Sequence, residues 1–444
     1  MGKRSRAVMV RGFLRAGAFF AVSTLFAVLF CVDRAEAIAA FSRNYKTECT
    51  TCHTIFPQLN EFGQAFEKNA FVWPHAVPLS KKVKAFQTEE ERKSAEFISL
   101  SGIPSILPLS VNLRTSWVFN NEEGVEDEFD QKNLSAQLLA AGAFGGDMVG
   151  FWFNQSLGSY TGGPTAPGFW FAIRDPLGVP AHIRAGKFSP DLSIRPALLV
   201  RPAYSSAGYT ADGFSWTGAN AGLEAKALLG PRVEVVLGMN DRNNNTASAA
   251  PSTVNDKGEV VPGKAATANS VNDFWGRIGV KFGGTDFHGK EPDVDLDKDS
   301  VWDFLSVTVG AFGYSGSTST GDGVNHDLNR YGVQAEALYK KALLMLGATF
   351  GENYADADDP IDSSAFSVGL DYIFSAKFAV GARYDILDID GKDQRTVITP
   401  AINYAPLQSF RLQLSASIDS NPTNAAPGKA NPNTTATLSA TLHF

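Results

Sequence analysis

This chain has little cysteine, no excess of positive charge and, beyond its N-terminus, no long apolar run. Because no stretch after the N-terminus approaches 18 apolar residues, a bundle of membrane-spanning helices is excluded. Its 46 acidic residues outnumber its 39 basic ones, which argues against nucleic acid as a partner. Only three of the 444 residues are cysteines, so any thiol chemistry is confined to those positions.

The N-terminus has the pattern of a cleaved export signal. Basic residues precede an apolar run, and Ala35 and Ala37 form a cleavage site of the Ala-x-Ala type. A retained transmembrane anchor is the alternative, because the run is about the minimum length that spans a bilayer. Phe30 is too bulky for lipoprotein processing at Cys31. Residues 1–37 are therefore predicted to be a signal peptide, and its removal leaves a more acidic chain.

Cys49 and Cys52 are then the remaining thiols of the mature protein, and His53 follows directly in the stretch ECTTCH. This spacing is the c-type haem attachment sequence. The two thiols add across the vinyl groups of one haem, and the turn between them presents His53 to the iron as proximal ligand. A redox-active disulfide is the alternative for two cysteines at this spacing alone. The motif occurs once, so the sequence predicts one covalently attached haem c.

A second ligand of the haem iron is proposed by elimination. No methionine lies between His53 and the first predicted strand, and the only other histidine in that stretch is His75. His75 is therefore the candidate distal ligand. The alternatives are a surface role for His75, an open or water-bound iron, or a ligand from elsewhere in the chain, namely His182, His443 or Met148.

A short amphipathic helix is predicted directly after the motif. Apolar side chains recur at spacings of three and four at Phe56, Leu59, Phe62 and Phe66, and Pro57 suits a first helical turn. Gly63 costs roughly 1 kcal/mol relative to alanine inside a helix, and close approach to a porphyrin would offset that cost. A segment of about 50 residues has little core of its own. The haem is therefore expected to form the core of residues 38–100.

Beyond about residue 100 the apolar period changes from helical to two. Alternating segments of about ten residues are typical of a transmembrane barrel, whose outer face meets lipid and whose lumen is polar. The strands of a soluble sandwich tend to be shorter, about five or six residues. Sixteen strands are predicted, and they begin near residues 110, 134, 148, 168, 181, 216, 231, 272, 303, 329, 341, 364, 376, 396, 408 and 435.

The predicted connections alternate between short turns and long polar loops. Bacterial barrels have short periplasmic turns and long extracellular loops, so both ends of the barrel are predicted to face the periplasm. The connection from Gly283 to Asp303 is an exception, because it is long where a short turn is expected. The fold prediction is all-β: an antiparallel barrel over residues 101–444, with a small α-helical haem domain over residues 38–100 that plugs it from the periplasmic side.

Acidic loops are the remaining candidates for metal binding. The run DVDLDKD, Asp293 to Asp299, invites a calcium interpretation, but Lys298 and Phe304 stand where an EF-hand loop needs Gly and Glu. A solvated acidic turn is the favoured interpretation. Carboxylates on the loops predicted to be extracellular attract divalent cations such as Fe(II) without defining a specific site.

The run FSRNYKTECTTCHTIFPQLNEFGQAF, followed by an all-β chain that ends in Phe444, resembles the fused monohaem cytochrome-porin family. That family includes outer-membrane iron oxidases of iron-oxidising bacteria. The resemblance implies that Cys49 and Cys52 hold the haem and that His53 ligates its iron. Related haem segments often have Asn-Gly-Tyr where this chain has Asn-Ala-Phe at residues 69–71, a difference that concerns the end of the helix.

The resemblance implies a function as an Fe(II):cytochrome c oxidoreductase in the outer membrane of a Gram-negative bacterium. Electrons would pass from extracellular Fe(II), or another redox partner, to a periplasmic cytochrome, with outer-membrane lipid around the barrel. Arg114, Lys377, Arg383 and Arg411 are predicted to face the lumen, where they hold the haem propionates or line a pore. Two alternatives stay open: a diffusion porin for small anions with an attached periplasmic cytochrome, and electron transfer outward to an extracellular acceptor.

Overall fold

The computed structural model describes a large part of the barrel and part of the N-terminal segment. The predicted signal peptide, Cys49, Phe56, His75 and the acidic run 293–299 lie outside the described residues. The described residues are 41, 51–55, 57–72, 109–120, 135–144, 148–159, 168–178, 180–195, 219–241, 253–254, 260–261, 271–290, 305–319, 325–356, 359–375, 377–407, 409–422, 428 and 431–443.

The N-terminal segment forms a hairpin and a helix. Strands β1 (His53–Ile55) and β2 (Gln58–Leu59) pair antiparallel, and helix α1 spans Glu61–Lys68. The helix therefore begins four residues later than the predicted first turn at Pro57, which lies in the turn of the hairpin. The reason is local: Asn60 has an extended backbone, and its side chain accepts a hydrogen bond from the Gly63 amide at 2.8 Å, which caps the helix.

Sixteen antiparallel strands close into one barrel. Each barrel strand pairs with its neighbour along the chain, and the last pairs with the first. The strands are β3 (Leu109–Asn120), β4 (Ser135–Phe144), β5 (Val149–Ser159), β6 (Gly168–Arg174), β7 (Ala181–Phe188), β8 (Asn220–Leu228), β9 (Val233–Asp241), β12 (Val271–Gly283), β13 (Leu305–Ser319), β14 (Asn325–Tyr339), β15 (Ala342–Asp356), β16 (Asp359–Ser375), β17 (Phe378–Ile389), β18 (Arg395–Leu407), β19 (Phe410–Asp419) and β20 (Asn433–His443).

The predicted strand number is confirmed, and each predicted start lies within five residues of an observed one. Two short strands, β10 (Thr253–Val254) and β11 (Val260–Val261), form a separate hairpin between β9 and β12. That hairpin is not predicted by the sequence. It leaves the barrel intact, because β9 pairs directly with β12.

The barrel wall is apolar outside and polar inside. On β16, the outward side chains of Phe366, Val368 and Leu370 are about half exposed, whereas the inward Ser367 and Asp371 are buried. This arrangement is the reverse of a water-soluble protein and is that of a barrel surrounded by lipid. Within the described ranges, no helix combines the length and hydrophobicity needed to cross a bilayer.

The connections largely alternate in length as predicted, but one connection at each end departs from the pattern. At the long-loop end, β15 and β16 are joined through residues 357–358 alone. Short turns join β14 to β15 and β18 to β19, whereas β3 and β4 are joined through residues 121–134. The connection from β12 to β13 is long although it belongs to the short-turn end of the barrel. Its first residues fold inward: Phe287 is buried, and its amide donates to the Pro231 carbonyl at 3.0 Å. The exception is therefore a real element of the fold, and Phe287 faces the N-terminal segment.

Candidate functional site

We call residues 51–72, except the undescribed residue 56, the plug, because they lie inside the barrel lumen. The described part of the predicted haem domain is the plug together with Phe41, and it contains the β1–β2 hairpin and α1. A larger helical domain is not shown by the described residues. Cys52 and His53 stand at the start of the hairpin, and both are partly buried.

Helix α1 packs directly against the backbone of Cys52. A Cβ atom on Gly63 would lie 2.0 Å from the Cys52 carbonyl oxygen, so any larger residue would force the two backbones apart. The Asn60 amide donates to the same carbonyl at 2.9 Å, and the Asn60 side-chain amide donates to the Thr51 carbonyl at 3.0 Å. Gly63 is thus explained by contact with the Cys-x-x-Cys-His segment itself.

His53 has the protonation state that suits a metal ligand. Burial lowers the pKa of its imidazole to about 4, although backbone hydrogen bonds with Pro57 and Gln58 oppose that shift. The ring is therefore neutral near pH 7, which is the form that ligates iron. His443, on the inner face of β20, lies near His53 and Arg411.

The described residues fit a c-type haem as far as they extend. A thiol and a neutral imidazole adjoin each other at Cys52 and His53, on the lumen side of the wall. The second thiol, Cys49, and the predicted distal ligand, His75, lie outside the described residues. Within the part of the chain that the structure describes, no cluster of three or more His, Cys, Asp or Glu side chains could hold a metal ion.

The helix end of the plug is anchored to the wall through Glu234 on β9. The Lys68 ammonium lies 2.6 Å from the Glu234 carboxylate, and Arg277 on β12 donates to the same carboxylate at 2.9 Å. All three side chains are almost completely buried. Burial lowers the pKa of Lys68, and Glu234 opposes that shift. Such a buried pair makes the position of the helix depend on one wall carboxylate.

A second charged contact holds the start of α1. The Glu61 carboxylate lies 2.8 Å from the Lys281 ammonium on β12 and accepts a hydrogen bond from the Thr285 amide at 3.2 Å. Burial raises the pKa of Glu61, but Lys281 and these hydrogen bonds outweigh burial and leave the pKa below its usual value. The Lys68 ammonium also lies 5.3 Å from the centre of the Phe287 ring. The inward-folded connection after β12 therefore supports both ends of the helix.

Apolar contacts fix the plug on two further sides of the lumen. Phe71 stacks on Trp170 of β6 with ring centres 5.5 Å apart. On another side, Ile55 is buried in a cluster formed by β16, β17 and β18. The wall residues of that cluster are Ile373, Ala379 and Ala405. Because these contacts and the charged ones involve widely separated strands, the plug crosses the lumen near the short-turn end.

The helix ends in a conformation that favours glycine. Ala70 and Phe71 have φ angles of 53° and 63°, in the left-handed region. That region costs roughly 1–2 kcal/mol for a residue with a side chain. A related sequence with Asn-Gly-Tyr would place glycine at the first of these positions. Here the buried Ala70 and the stacking of Phe71 on Trp170 hold the strained turn in place.

A second segment enters the lumen after β7. We call residues 189–195 the inner segment. Its Ile194 amide donates to the Gln334 side chain at 2.9 Å, and its Asp191 carboxylate lies 2.6 Å from the Lys226 ammonium. Arg195 pairs with Glu336 of β14 and also donates to the Leu59 carbonyl of the plug at 2.7 Å. The inner segment thus bridges the plug to β14 of the wall.

The other sequence candidates fall into three groups. Arg383 and Arg411 are buried on the lumen side, and Arg114 is exposed to the lumen from β3. Lys377 does not face the lumen, and that prediction is wrong: the residue lies in the exposed turn between β16 and β17, where the strand alternation stops. Met148 is 63% exposed beside the start of β5.

His182 and the charged anchors complete the account of the lumen. His182 is buried on the inner face of β7, near Lys226. The anchoring residues Lys68, Lys226, Glu234 and Arg277 are not found by the sequence analysis. Strand alternation places the last three on the polar face, but their pairing with Lys68 depends on how the plug enters the barrel.

Comparisons with known proteins find similarity in architecture alone. No protein family profile and no curated protein matches this sequence. Among solved structures, the anion-selective porin from Comamonas acidovorans is 12% identical with a TM-score of 0.49, over 76% of this chain and 98% of that chain. OprB of Pseudomonas putida gives 12% and 0.49, over 76% and 94%. The outer membrane channel DcaP of Acinetobacter baumannii gives 12% and 0.48, over 76% and 96%. At this level of similarity, the fold assignment rests on this chain's own closed barrel.

Proposed function

We propose that this chain is an outer-membrane barrel protein whose plug carries one covalent haem c, and that it passes electrons between extracellular Fe(II) and a periplasmic cytochrome. The observation that carries the proposal is the position of Cys52 and His53 on a segment packed across the lumen. A cytochrome that hung free in the periplasm would not need anchors on β6, β9, β12 and β16. The enzymatic description would be Fe(II):cytochrome c oxidoreductase.

Each part of the chain has a defined role in this proposal. Cys49 and Cys52 would hold the haem by thioether bonds, and His53 would ligate its iron. When bound, a c-type haem supplies a one-electron carrier whose potential depends on its ligands and burial. The barrel wall insulates the lumen with a lipid-facing band roughly 25 Å tall. The plug contacts described above fix the position of Cys52 and His53 along that height.

Covalent attachment is the first test. The mature protein is produced in a host that matures c-type cytochromes, and haem staining after denaturing electrophoresis reports the covalent bond. We expect staining of the native protein and its loss when Cys49→Ala and Cys52→Ala are combined, while Thr51→Ala, a change at the adjacent residue, retains it. Absence of stain in the native protein, with the barrel correctly folded, would reject the haem proposal.

Electron transfer from Fe(II) is the second test. Oxidised protein in detergent is mixed with Fe(II) across a range of pH, and haem absorption reports reduction. Reduction of the haem supports Fe(II) as donor. If the haem remains oxidised at every pH, the donor assignment is wrong. Transfer outward to an extracellular acceptor is then examined with pre-reduced protein and soluble ferric chelates.

A porin for small anions is the second candidate function. The observations that favour it are the closed sixteen-strand barrel and the inward arginines Arg114, Arg383 and Arg411. Conductance in a planar bilayer separates the two candidates. A packed plug predicts a closed barrel, and deletion of residues 41–72 should open it. A large steady conductance of the intact protein, with a reversal potential that shows anion preference, would favour the porin.

A further inference from the structure

A series of aromatic side chains extends from the plug along the lumen wall, away from the short-turn end of the barrel. Phe71 of the plug stacks on Trp170 at 5.5 Å between ring centres. The Arg184 guanidinium lies over both Trp170 and Phe188, 5.7 Å and 4.2 Å from their ring centres. Phe188 then meets Trp275 at 6.4 Å, and Trp275 stacks on Tyr314 at 6.4 Å. We call Phe71, Trp170, Phe188, Trp275 and Tyr314 the aromatic bridge.

The bridge rises away from the short-turn end of the barrel. Measured along each strand from that end, Trp170 lies four residues from Arg174, and Phe188 lies seven residues from Ala181. Trp275 lies eight residues from Gly283, and Tyr314 lies nine residues from Leu305. Since each strand residue adds about 3.3 Å along the strand, Phe188 and Trp275 lie farther from the short-turn end than Trp170 does. Tyr314 lies beside Trp275, because the two residues are cross-strand partners.

Buried carboxylates accept hydrogen bonds from Trp275 and Tyr314 and hold these two rings in place. The Trp275 indole N–H donates to the Glu224 carboxylate at 3.0 Å, and the Tyr314 hydroxyl donates to Asp273. Gly238 leaves room for the Trp275 ring, because a Cβ atom there would lie 2.1 Å from it. Each of the wall rings is less than 9% exposed. Their orientations are therefore fixed and shielded from water.

We propose that the aromatic bridge is the electronic path between the long-loop end of the lumen and the plug. The inference rests on the proposed function. One electron would leave an Fe(II) donor at the long-loop end, which would become Fe(III), and a ferric haem held by Cys49, Cys52 and His53 would accept it. No covalent bond forms or breaks and no proton moves. The π orbitals of the contacting rings, and of the Arg184 guanidinium that contacts both Trp170 and Phe188, couple donor and acceptor more strongly than saturated side chains across the same gap.

The competing interpretation is that these rings only fill the lumen. They share a buried cluster with aliphatic side chains, including Leu328 and Leu192. A packing role depends on volume, whereas an electronic role depends on the presence of a ring. Substitutions that keep or remove the ring at one position therefore distinguish the two interpretations.

The experiment compares three variants of the complete haem-loaded protein in proteoliposomes. A membrane-impermeant Fe(II) chelate is added outside, and single-turnover haem reduction is followed by stopped-flow absorption, with analysis confined to correctly oriented barrels. We expect Trp275→Leu to slow reduction several-fold and Trp275→Phe to retain most of the rate. Leu328→Ala, which removes volume without removing a ring, should leave the rate close to that of the native protein.

Equilibrium measurements exclude indirect effects. The haem reduction potential and absorption spectrum should be the same in all three variants, and the folded barrel is verified by its altered mobility in unheated gels. Equal rates for Trp275→Leu and Trp275→Phe would overturn the aromatic bridge, as would an equal slowing by Leu328→Ala. Should Trp275→Leu fail to fold, Tyr314→Leu and Tyr314→Phe provide the same comparison. Failure of the proposed function itself is distinct, because native protein would then carry no haem or none reducible by Fe(II).

Discussion

The barrel and the plug are held by different kinds of interaction. In the barrel, every strand has two hydrogen-bonded neighbours, and the pairing of β20 with β3 leaves no edge. In the plug, the backbone hydrogen bonds lie within the plug itself, in the β1–β2 hairpin, the eight residues of α1 and the turns beside them. The plug is attached to the wall through individual side chains, such as Lys68, Glu61, Ile55 and Phe71. Side-chain substitutions should therefore unseat the plug while the barrel stays closed.

Among the substitutions that should unseat the plug and leave the barrel closed, Glu234→Gln is expected to have the largest effect. Glu234 is 1% exposed and contacts Lys68, Arg277 and Lys226, so its neutralisation leaves buried cations without their shared carboxylate. Breaking such a buried pair costs about 3–5 kcal/mol. Faster hydrogen exchange of the α1 amides, measured by mass spectrometry in detergent, reports the loss of seating.

Asp388→Asn is the matched control for Glu234→Gln. Asp388 carries the same kind of charge on β17 but is exposed. Exchange of the α1 amides should be unaltered in this variant, since exposed substitutions usually change stability by within about 0.5 kcal/mol. Similar exchange in Glu234→Gln and the native protein would show that the plug does not depend on this anchor.

A smaller effect is expected from Ile55→Ala, which tests the apolar side of the plug. Ile55 is 2% exposed and packs against Ile373, Ala379 and Ala405. Truncation of a buried isoleucine to alanine destabilises a protein by about 2–5 kcal/mol, and the loss is smallest where neighbouring side chains can move into the space left behind. We expect the lower end here, because the plug is short, and we expect faster exchange of the β1–β2 amides.

The lipid-facing Ile398→Ala provides the comparison for Ile55→Ala. Ile398 is a β18 residue of the same type whose side chain points away from the plug. Exchange in the hairpin should be the same as in the native protein. A change in the hairpin caused by Ile398→Ala would mean that the barrel and the plug are coupled more tightly than their contacts indicate.

The barrel strands can be predicted from the sequence, whereas most contacts of the plug cannot. The strands are predictable because inward and outward residues alternate along each one, as with Ser367 and Phe366, and the pattern is independent of distant residues. The start of α1 is mispredicted, because the apolar spacing from Leu59 onward hides the cap at Asn60. Lys68 carries no local sign of its partner, because Glu234 is 166 residues away. The haem motif is readable from spacing, whereas its place in the lumen depends on these long-range contacts.

The third prediction concerns the plug's own backbone. Asn60→Ala removes the acceptor for the Gly63 amide and the donor to the Thr51 carbonyl. Loss of an N-cap costs about 1 kcal/mol, so the first turn of α1 should exchange modestly faster. Asn60→Asp keeps the cap acceptor and should restore most of the protection at Gly63. If Asn60→Asp exchanges as fast as Asn60→Ala, the cap is not the stabilising interaction.

The smallest effect is expected from Arg395→Gln, which alters the wall and spares the plug. Arg395 at the start of β18 donates two hydrogen bonds to Asp419 at the end of β19, with Nε 3.0 Å and Nη2 2.5 Å from Oδ2. Because the Arg395 side chain remains partly exposed, this pair contributes about 0–1 kcal/mol. The temperature at which heating abolishes the gel mobility of the folded barrel should fall slightly. Hydrogen exchange of the α1 amides should stay at the native rate. Faster exchange in α1 would mean that strain at the long-loop end reaches the plug through the wall, and the separation between barrel and plug would then be lost.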